Sequence, residues 1–216
     1  FMDDREKAWP DNRSYDGWWN NDTLPKLNYE ASEELAERIL RVGEKWLSPP
    51  YRVDGWRLDV AADLGHTQDY NHSFWKRFRA RVKAVRRDAL ILAEHYGNPS
   101  SWLNGREWDS VMNYDGFMEP VSWFLTGMEK HSDGKDPSLR GDGARFWDMM
   151  SLAIAKLPEP SLHTAMNQLS NHDHSRFLTR TNGVVGRLAE LGSAAAENGV
   201  QLSVMRQAAL MLFTWP

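Results

Sequence analysis

The sequence predicts an α/β fold built as part of a TIM (β/α)8 barrel, roughly the C-terminal half of its strands. Three observations predict it. Short apolar runs alternate with amphipathic helical stretches, the pattern of a parallel sheet with helices outside. Three of those runs lead into a single carboxylate: VDGWRLDV into Asp59, ALILAE into Glu94, and AMNQLSNHD into Asp173. A buried strand is normally bounded by turn residues, because a desolvated, unpaired carboxylate costs several kcal/mol. An acid at the C-terminal end of a strand is where (β/α) barrels place reactive groups. The intervals agree: 35 residues from Asp59 to Glu94 and 79 from Glu94 to Asp173. A strand-helix unit takes roughly 30 to 40 residues, so the acids stand one step and then two steps apart around a ring.

Each element has its own signal. Residues 1–28 lack helical periodicity and are rich in Asp, Asn, Gly and Trp, as in a loop-rich excursion ahead of a barrel over 29–216. Asp3, Asp4, Asp11, Asp16 and Asp22 are expected there as solvated loop acids. Ser32 caps a helix with Glu33 and Glu34 in its first turn; Leu35, Ile39, Val42 and Trp46 share a face, and Pro49-Pro50 stops it. A strand follows over Val53–Val60. Asn71 or Ser73 opens a second helix with Phe74, Phe78, Val82 and Val85 on one side. Strands are expected at Ala89–Glu94, Ser110–Tyr114 and Ala165–Ser170, helices near Ala144–Leu157 and Val200–Leu210, and the start of a further strand at Leu212–Trp215. That set supplies about half of a closed barrel. With Phe1 at one end and an apolar run at the other, the chain reads as an excised stretch of a longer protein, expected to be inactive alone.

Bulk composition narrows the function classes. The 216 residues are 41% hydrophobic, enough to bury a core. A net charge of −4 with interspersed signs argues against nucleic acid or an anionic membrane as partner. The lack of cysteine fits a reducing, cytoplasmic setting, though a secreted parent is compatible with it too. Eleven tryptophans are many for this length; their rings serve as core fillers or stack on flat ligand faces.

Strand alternation puts Val53, Gly55, Arg57 and Asp59 on one face and Asp54, Trp56, Leu58 and Val60 on the other. Arg57 can pair with Asp59, and a guanidinium favours the charged carboxylate. Glu94 ends an otherwise uncharged run, where burial without a cation favours the protonated form that a general acid needs. One ionised and one protonated carboxyl on adjacent strands form the apparatus of glycoside hydrolysis. Asp173, with His172 beside it, can bind ring hydroxyls and stabilise a cationic transition state. On spacing alone each of these acids reads equally as a cap or an ion-pair partner. A barrel using carboxylates to hold Mg²⁺ for phosphoryl transfer would need a phosphate-binding glycine loop or basic clamp, and the sequence has neither.

DGWRLDVA at 54–61, ILAEHYGNP at 91–99 and QLSNHDHSRF at 168–177 closely resemble three signature regions of the α-amylase family, glycoside hydrolase family 13. LPKLN at 24–28 resembles the form of a fifth region found in neopullulanases, cyclomaltodextrinases and maltogenic amylases. MNYDGFMEPVSWFL at 112–125 and the terminal LFTWP look most like the maltodextrin-glucosidase branch. The resemblance implies a retaining α-glucan hydrolase cleaving α-1,4 bonds, with α-1,6 bonds as a further option, in maltodextrins or cyclodextrins, so that an α-glucan oligosaccharide is the partner. It implies Asp59 as nucleophile, Glu94 as acid/base and Asp173 as transition-state stabiliser, with Arg57, His172 and His95 as substrate-binding support. A glucan transglycosylase, such as a branching enzyme or glucanotransferase, is one alternative; a non-catalytic carbohydrate-binding relative is another, against which the retention of all three acids argues. The family's first signature, expected upstream, is not found. No cofactor is required; some family members bind calcium, but no EF-hand-like ligand cluster appears, so calcium stays open. A homodimeric parent is a further expectation.

Overall fold

Ser32 opens the first helix because its hydroxyl accepts the Leu35 N–H at 3.2 Å, while Glu33 and Glu34 complement the positive end of the helix dipole. The computed structural model describes residues 15–21 and 23–215. They fall into two compact units, one made of the described residues up to Glu94 with Asn104–Asp109, the other of His95–Leu103 with the described residues from Ser110 on.

The first unit runs α1 (Glu33–Leu47), β1 (Gly55–Leu58), α2 (Gln68–Val85) and β2 (Leu90–Ala93). β1 and β2 pair in parallel, with Gly55 opposite Leu90 and Arg57 opposite Leu92. A Cβ on Gly55 would meet the Leu90 carbonyl oxygen at 2.3 Å, so this approach requires glycine. The first helix buries a different face from the one expected. Ala36, Leu40, Gly43 and Leu47 of α1 turn inward, whereas Val42 and Trp46 are exposed. The reason is close packing: a Cβ on Gly43 would sit 2.7 Å from the Phe78 ring of α2. The Trp56 indole also donates to the Gly43 carbonyl at 3.1 Å. Small residues let the helix approach where large ones would hold it off.

α2 begins a turn earlier than expected. Thr67, not Asn71 or Ser73, caps it by accepting the Tyr70 N–H at 3.3 Å. Asn71 is instead buried within the helix, its amide donating to the carbonyls of Ala61, Ala62 and Leu64 at 2.9–3.1 Å. Phe74, Phe78 and Val82 are buried as expected, each contributing roughly 1.5–3 kcal/mol, but Val85 is exposed. Of the expected N-terminal excursion, residues 1–14 and 22 lie outside the described residues, and with them Asp3, Asp4, Asp11 and Asp22. Asp16 is exposed on irregular backbone, as expected, and lies 3.9 Å from Lys26 Nζ and 3.3 Å from His66 Nε2.

The second unit contains β3 (Ser110–Val111), one π-type turn (Tyr114–Met118), α3 (Glu119–Thr126) and α4 (Gly143–Ile154). Short helices α5 (Glu159–Leu162), α6 (Phe177–Arg180) and α7 (Leu188–Leu191) follow, then α8 (Leu202–Thr214). Its core is Phe117, Val121, Leu125, Met150, Leu169, Phe177, Val204 and Ala208. Three expected strands change here. Ser110–Tyr114 shrinks to two residues because the π-type turn takes over at Tyr114. Ala165–Ser170 forms no strand, only an isolated parallel bridge from Met166 to Met112, and Asn113 bonds the Asn167 side chain at 2.8 Å. Leu212–Trp215 is the last turn of α8 and its cap, since the helix that buries Val204 and Ala208 continues through the apolar run. Among the described residues no helix is long and apolar enough to cross a membrane.

Candidate active site

β1 and β2 bring three of the expected residues, Arg57, Asp59 and Glu94, to the same point of the first unit. Alternation sends Trp56 towards α1 and α2 and leaves Arg57 on the opposite face, where its guanidinium pairs with Asp59. The register that sets Arg57 opposite Leu92 brings Glu94, two residues further on, within 3.1 Å of Arg57 Nη2. One guanidinium therefore serves both carboxylates. Their surroundings differ: the Asp59 side chain is 73% exposed and that of Glu94 only 9%.

This geometry corrects the expected setting of Glu94. It is buried, but not away from cations, and its Oε2 also accepts the Val60 N–H at 3.0 Å. Val60 holds φ 42°, ψ 42°, the left-handed region a β-branched side chain avoids. Such backbone strain persists only where surrounding structure enforces it, and it clusters at functional sites. Here it sits directly after Asp59, and the N–H in the strained segment binds Glu94. Neither feature had a sequence signal.

The second unit holds His172 and Asp173 on irregular backbone after Leu169. His172 Nε2 lies 3.4 Å from Asp173 Oδ1, and both side chains are substantially exposed. Behind them is a network that sequence reasoning missed. Asn171 Oδ1 receives the Asp173 N–H at 2.9 Å and contacts His174 Nδ1 at 2.5 Å, while its amide donates to the Tyr114 hydroxyl at 3.0 Å. Tyr96 stacks on Tyr114 with ring centroids 4.3 Å apart, and its hydroxyl meets His174 Nε2 at 3.3 Å. Burial first, then the nearby His131, Lys130 and Arg180 charges, pull His174 down to about 4, so it is neutral at neutral pH. Its tautomer follows from its partners: Nδ1–H to Asn171 Oδ1, Nε2 accepting from Tyr96. The two His residues flanking Asp173 and the Asn before them in NHDH were the available hint. His95 has a local environment, its ring 5.0 Å from Trp102 and its Nε2 3.4 Å from the Asn98 carbonyl.

Among the described residues no three His, Asp or Glu side chains group as metal ligands. A shallow charged groove of about 530 Å³ lies along α1, lined by residues such as Glu37, Arg41 and Lys45; it holds none of the candidate residues.

A family model described as "Alpha amylase, catalytic domain" matches residues 3–204. Neopullulanase 2 of Thermoactinomyces vulgaris is 36% identical over 160 residues, covering 74% of this chain and 24% of that protein. A cyclomaltodextrinase of Thermoanaerobacter pseudethanolicus is 31% identical over 184 residues, covering 79% of this chain and 29% of that protein. The chain thus spans 24% and 29% of the length of these two relatives. Among solved structures, a debranching enzyme of Nostoc punctiforme superposes with a TM-score of 0.75 at 27% identity, covering all of this chain and 40% of that one. A cyclic α-maltosyl-(1→6)-maltose hydrolase of Arthrobacter globiformis, in complex with maltose, gives 0.61 at 30% identity, covering 82% of this chain and 36% of that one.

Proposed function

This chain belongs to the alpha-amylase family, and from that premise we propose that it carries the catalytic carboxylates of a retaining α-glucan hydrolase. The substrate class is α-1,4-linked, and also α-1,6-linked, glucan oligosaccharides. The relatives named above as neopullulanase, cyclomaltodextrinase and (1→6)-maltose hydrolase support this range. In the same proposal the chain is roughly the C-terminal half of a (β/α)8 barrel, supported by the parallel β1–β2 pair joined through α2.

The observation that carries the reading is the Arg57 guanidinium joining Asp59 and Glu94 at the C-terminal ends of adjacent parallel strands. Asp59, the more exposed carboxylate, attacks the anomeric carbon. Glu94 gives its proton to the departing glycosidic oxygen, and a glycosyl ester forms on Asp59. Water then attacks that ester, Glu94 takes the water's proton, and Asp59 leaves as carboxylate. Arg57 suits both steps. It pairs with Asp59 and lies 3.1 Å from Glu94 Oε2, so it holds nucleophile and acid/base in one arrangement through both steps. Asp173 stabilises the cationic transition state, with His172 and His95 on the substrate.

The test is proton NMR of the products formed by the intact protein from maltotriose, pullulan and cyclodextrin. The expected first product carries the α-anomeric configuration. A β-anomer as first product would exclude the ester on Asp59.

A further inference from the structure

Asp173 belongs to no helix or strand, so no regular backbone ladder fixes the direction of its carboxylate. Side chains hold it instead. Asn171 accepts its N–H at 2.9 Å, and His131, 42 residues earlier in the chain, has Nδ1 3.1 Å from its carbonyl oxygen. Those two bonds restrain the peptide planes on either side of the Asp173 Cα, and hence its φ and ψ. A carbonyl can only accept, so His131 Nδ1 carries the proton.

His131 is itself held on several sides. Its N–H donates to Glu129 Oε2 at 2.7 Å, and its carbonyl accepts from the Ser175 hydroxyl at 2.7 Å. The Ser175 N–H donates to the Lys130 carbonyl at 3.2 Å. The His131 ring lies on the neutral His174 ring, centroids 4.7 Å apart and planes 25° apart. The same loop is tied further along: Gly186 N–H donates to the Ser132 carbonyl at 2.8 Å, and Asp133 pairs with Arg187 at 2.5 Å. Loop 129–133 is thus fastened to the segment on both sides of α6, and His131 is the part of it that touches Asp173.

We propose that His131 is a positioning residue for Asp173, aiming its carboxylate by holding the carbonyl of the same residue. The proposal rests on the reading of Asp173 as the transition-state stabiliser. A group that acts only in the transition state affects turnover more than substrate affinity, and a displacement of about 1 Å can cost on the order of 10²-fold.

Three variants of the intact protein test it on a maltodextrin. His131→Phe keeps a ring over His174 but removes the donor; kcat should fall roughly 10- to 100-fold with KM nearly unchanged. His131→Asn returns an amide donor close to the Nδ1 position and should recover most of kcat, even though it loses the ring stack. Asp173→Asn should abolish turnover. If Asp173→Asn is inactive while His131→Phe turns over normally, the positioning role is overturned and the assignment of Asp173 survives. Equal losses in His131→Phe and His131→Asn, tracking lowered melting temperatures, would also overturn it, since packing alone would then explain both. If Asp173→Asn stays active, the stabiliser assignment fails, and the positioning role falls with it.

Discussion

The carboxylates of the first unit are placed by repeating backbone geometry, and the carboxylate of the second by individually made side-chain bonds. Asp59 and Glu94 follow strands whose register is set by a parallel ladder, and Arg57 reaches both because the ladder puts it there. Structural roles in that unit fall to other residues, such as Asn71 and the small face of α1. Around Asp173 the roles coincide: Asn171 binds the Asp173 N–H, His174 and Tyr114 at once. A ladder lets holding the fold and performing chemistry be divided between residues, whereas a side-chain network concentrates them. Stability and turnover should therefore separate under mutation in the first unit and move together in the second.

The sharpest test of the first half of that contrast is Asp59→Asn. The side chain is largely exposed, and Arg57 keeps Glu94 as a partner when the charge is removed. The melting temperature should change little. Turnover should fall by at least about 10⁴-fold, because an amide cannot form the glycosyl ester. A large loss of stability would show that Asp59 is a structural ion-pair partner, as an acid at a strand end can be.

Asn171→Ala tests the other half. Removing that amide leaves the Asp173 N–H, His174 Nδ1 and the Tyr114 hydroxyl each short of a partner. We expect a stability loss of about 1–3 kcal/mol together with a fall in kcat of roughly 10- to 100-fold. Denaturant unfolding and steady-state kinetics on one preparation would show whether the two losses coincide. A variant that loses only one of them breaks the comparison.

What could be read from the sequence divides along the same line. Ladder-borne features were legible: the Ser32 cap, the parallel pair, and the approach of Arg57 to Asp59 across one intervening residue. The inward face of α1 was misjudged because large apolar residues were assumed to point in, while Gly43 against Phe78 shows that distance of approach decided it. The strands expected at Ala165–Ser170 and Leu212–Trp215 failed for another reason. At Leu212–Trp215 a short apolar run does not distinguish strand from helix, and the helix before it continues; at Ala165–Ser170 only the Met166–Met112 bridge forms. The cation beside Glu94 was invisible because it depends on register between strands separated by α2. The ties from His131 to Asp173 have no local pattern at all, since the two residues meet only when the loop has folded.

Acidification should separate the units by pH window. His174, held down at about 4, is neutral in the fold, while the unfolded chain takes up a proton near the ordinary value of 6.5. The unfolded state therefore binds more protons between those values, so stability present above about 6.5 is lost as pH falls towards 4. In the first unit, burial would raise Asp109, but bonds from Lys83, Arg79 and the Ile91 N–H outweigh it and hold the carboxyl below its usual range. Its contribution persists above the ordinary carboxylate value and is lost only below it. Glu119, raised by burial in the second unit, opposes the His174 effect over part of the window. His174→Gln isolates the histidine. Between about pH 7 and about pH 5 the wild type should lose about 1–2 kcal/mol more than the variant in denaturant unfolding. Equal losses in both would mean that His174 takes up its proton without opening the network.

The smallest expected effect is the cleanest check on separability. Thr67 caps α2 by accepting the Tyr70 N–H, and its own N–H and hydroxyl donate to Glu30 Oε1 at 2.7 and 3.0 Å. Glu30 also accepts the His66 N–H at 2.8 Å. Thr67→Ala removes the cap and one donor to Glu30 but leaves both backbone donors in place, so the loss should be about 1 kcal/mol. None of these groups bonds Arg57, Asp59 or Glu94, whose positions come from the β1–β2 register. Thermal unfolding should register the change, while kcat and KM on maltotriose stay at their wild-type values. A fall in kcat with Thr67→Ala would mean that the start of α2 transmits its position to the strand ends. The first unit would then be as tightly coupled as the second, and the distinction drawn between ladder and network would fail.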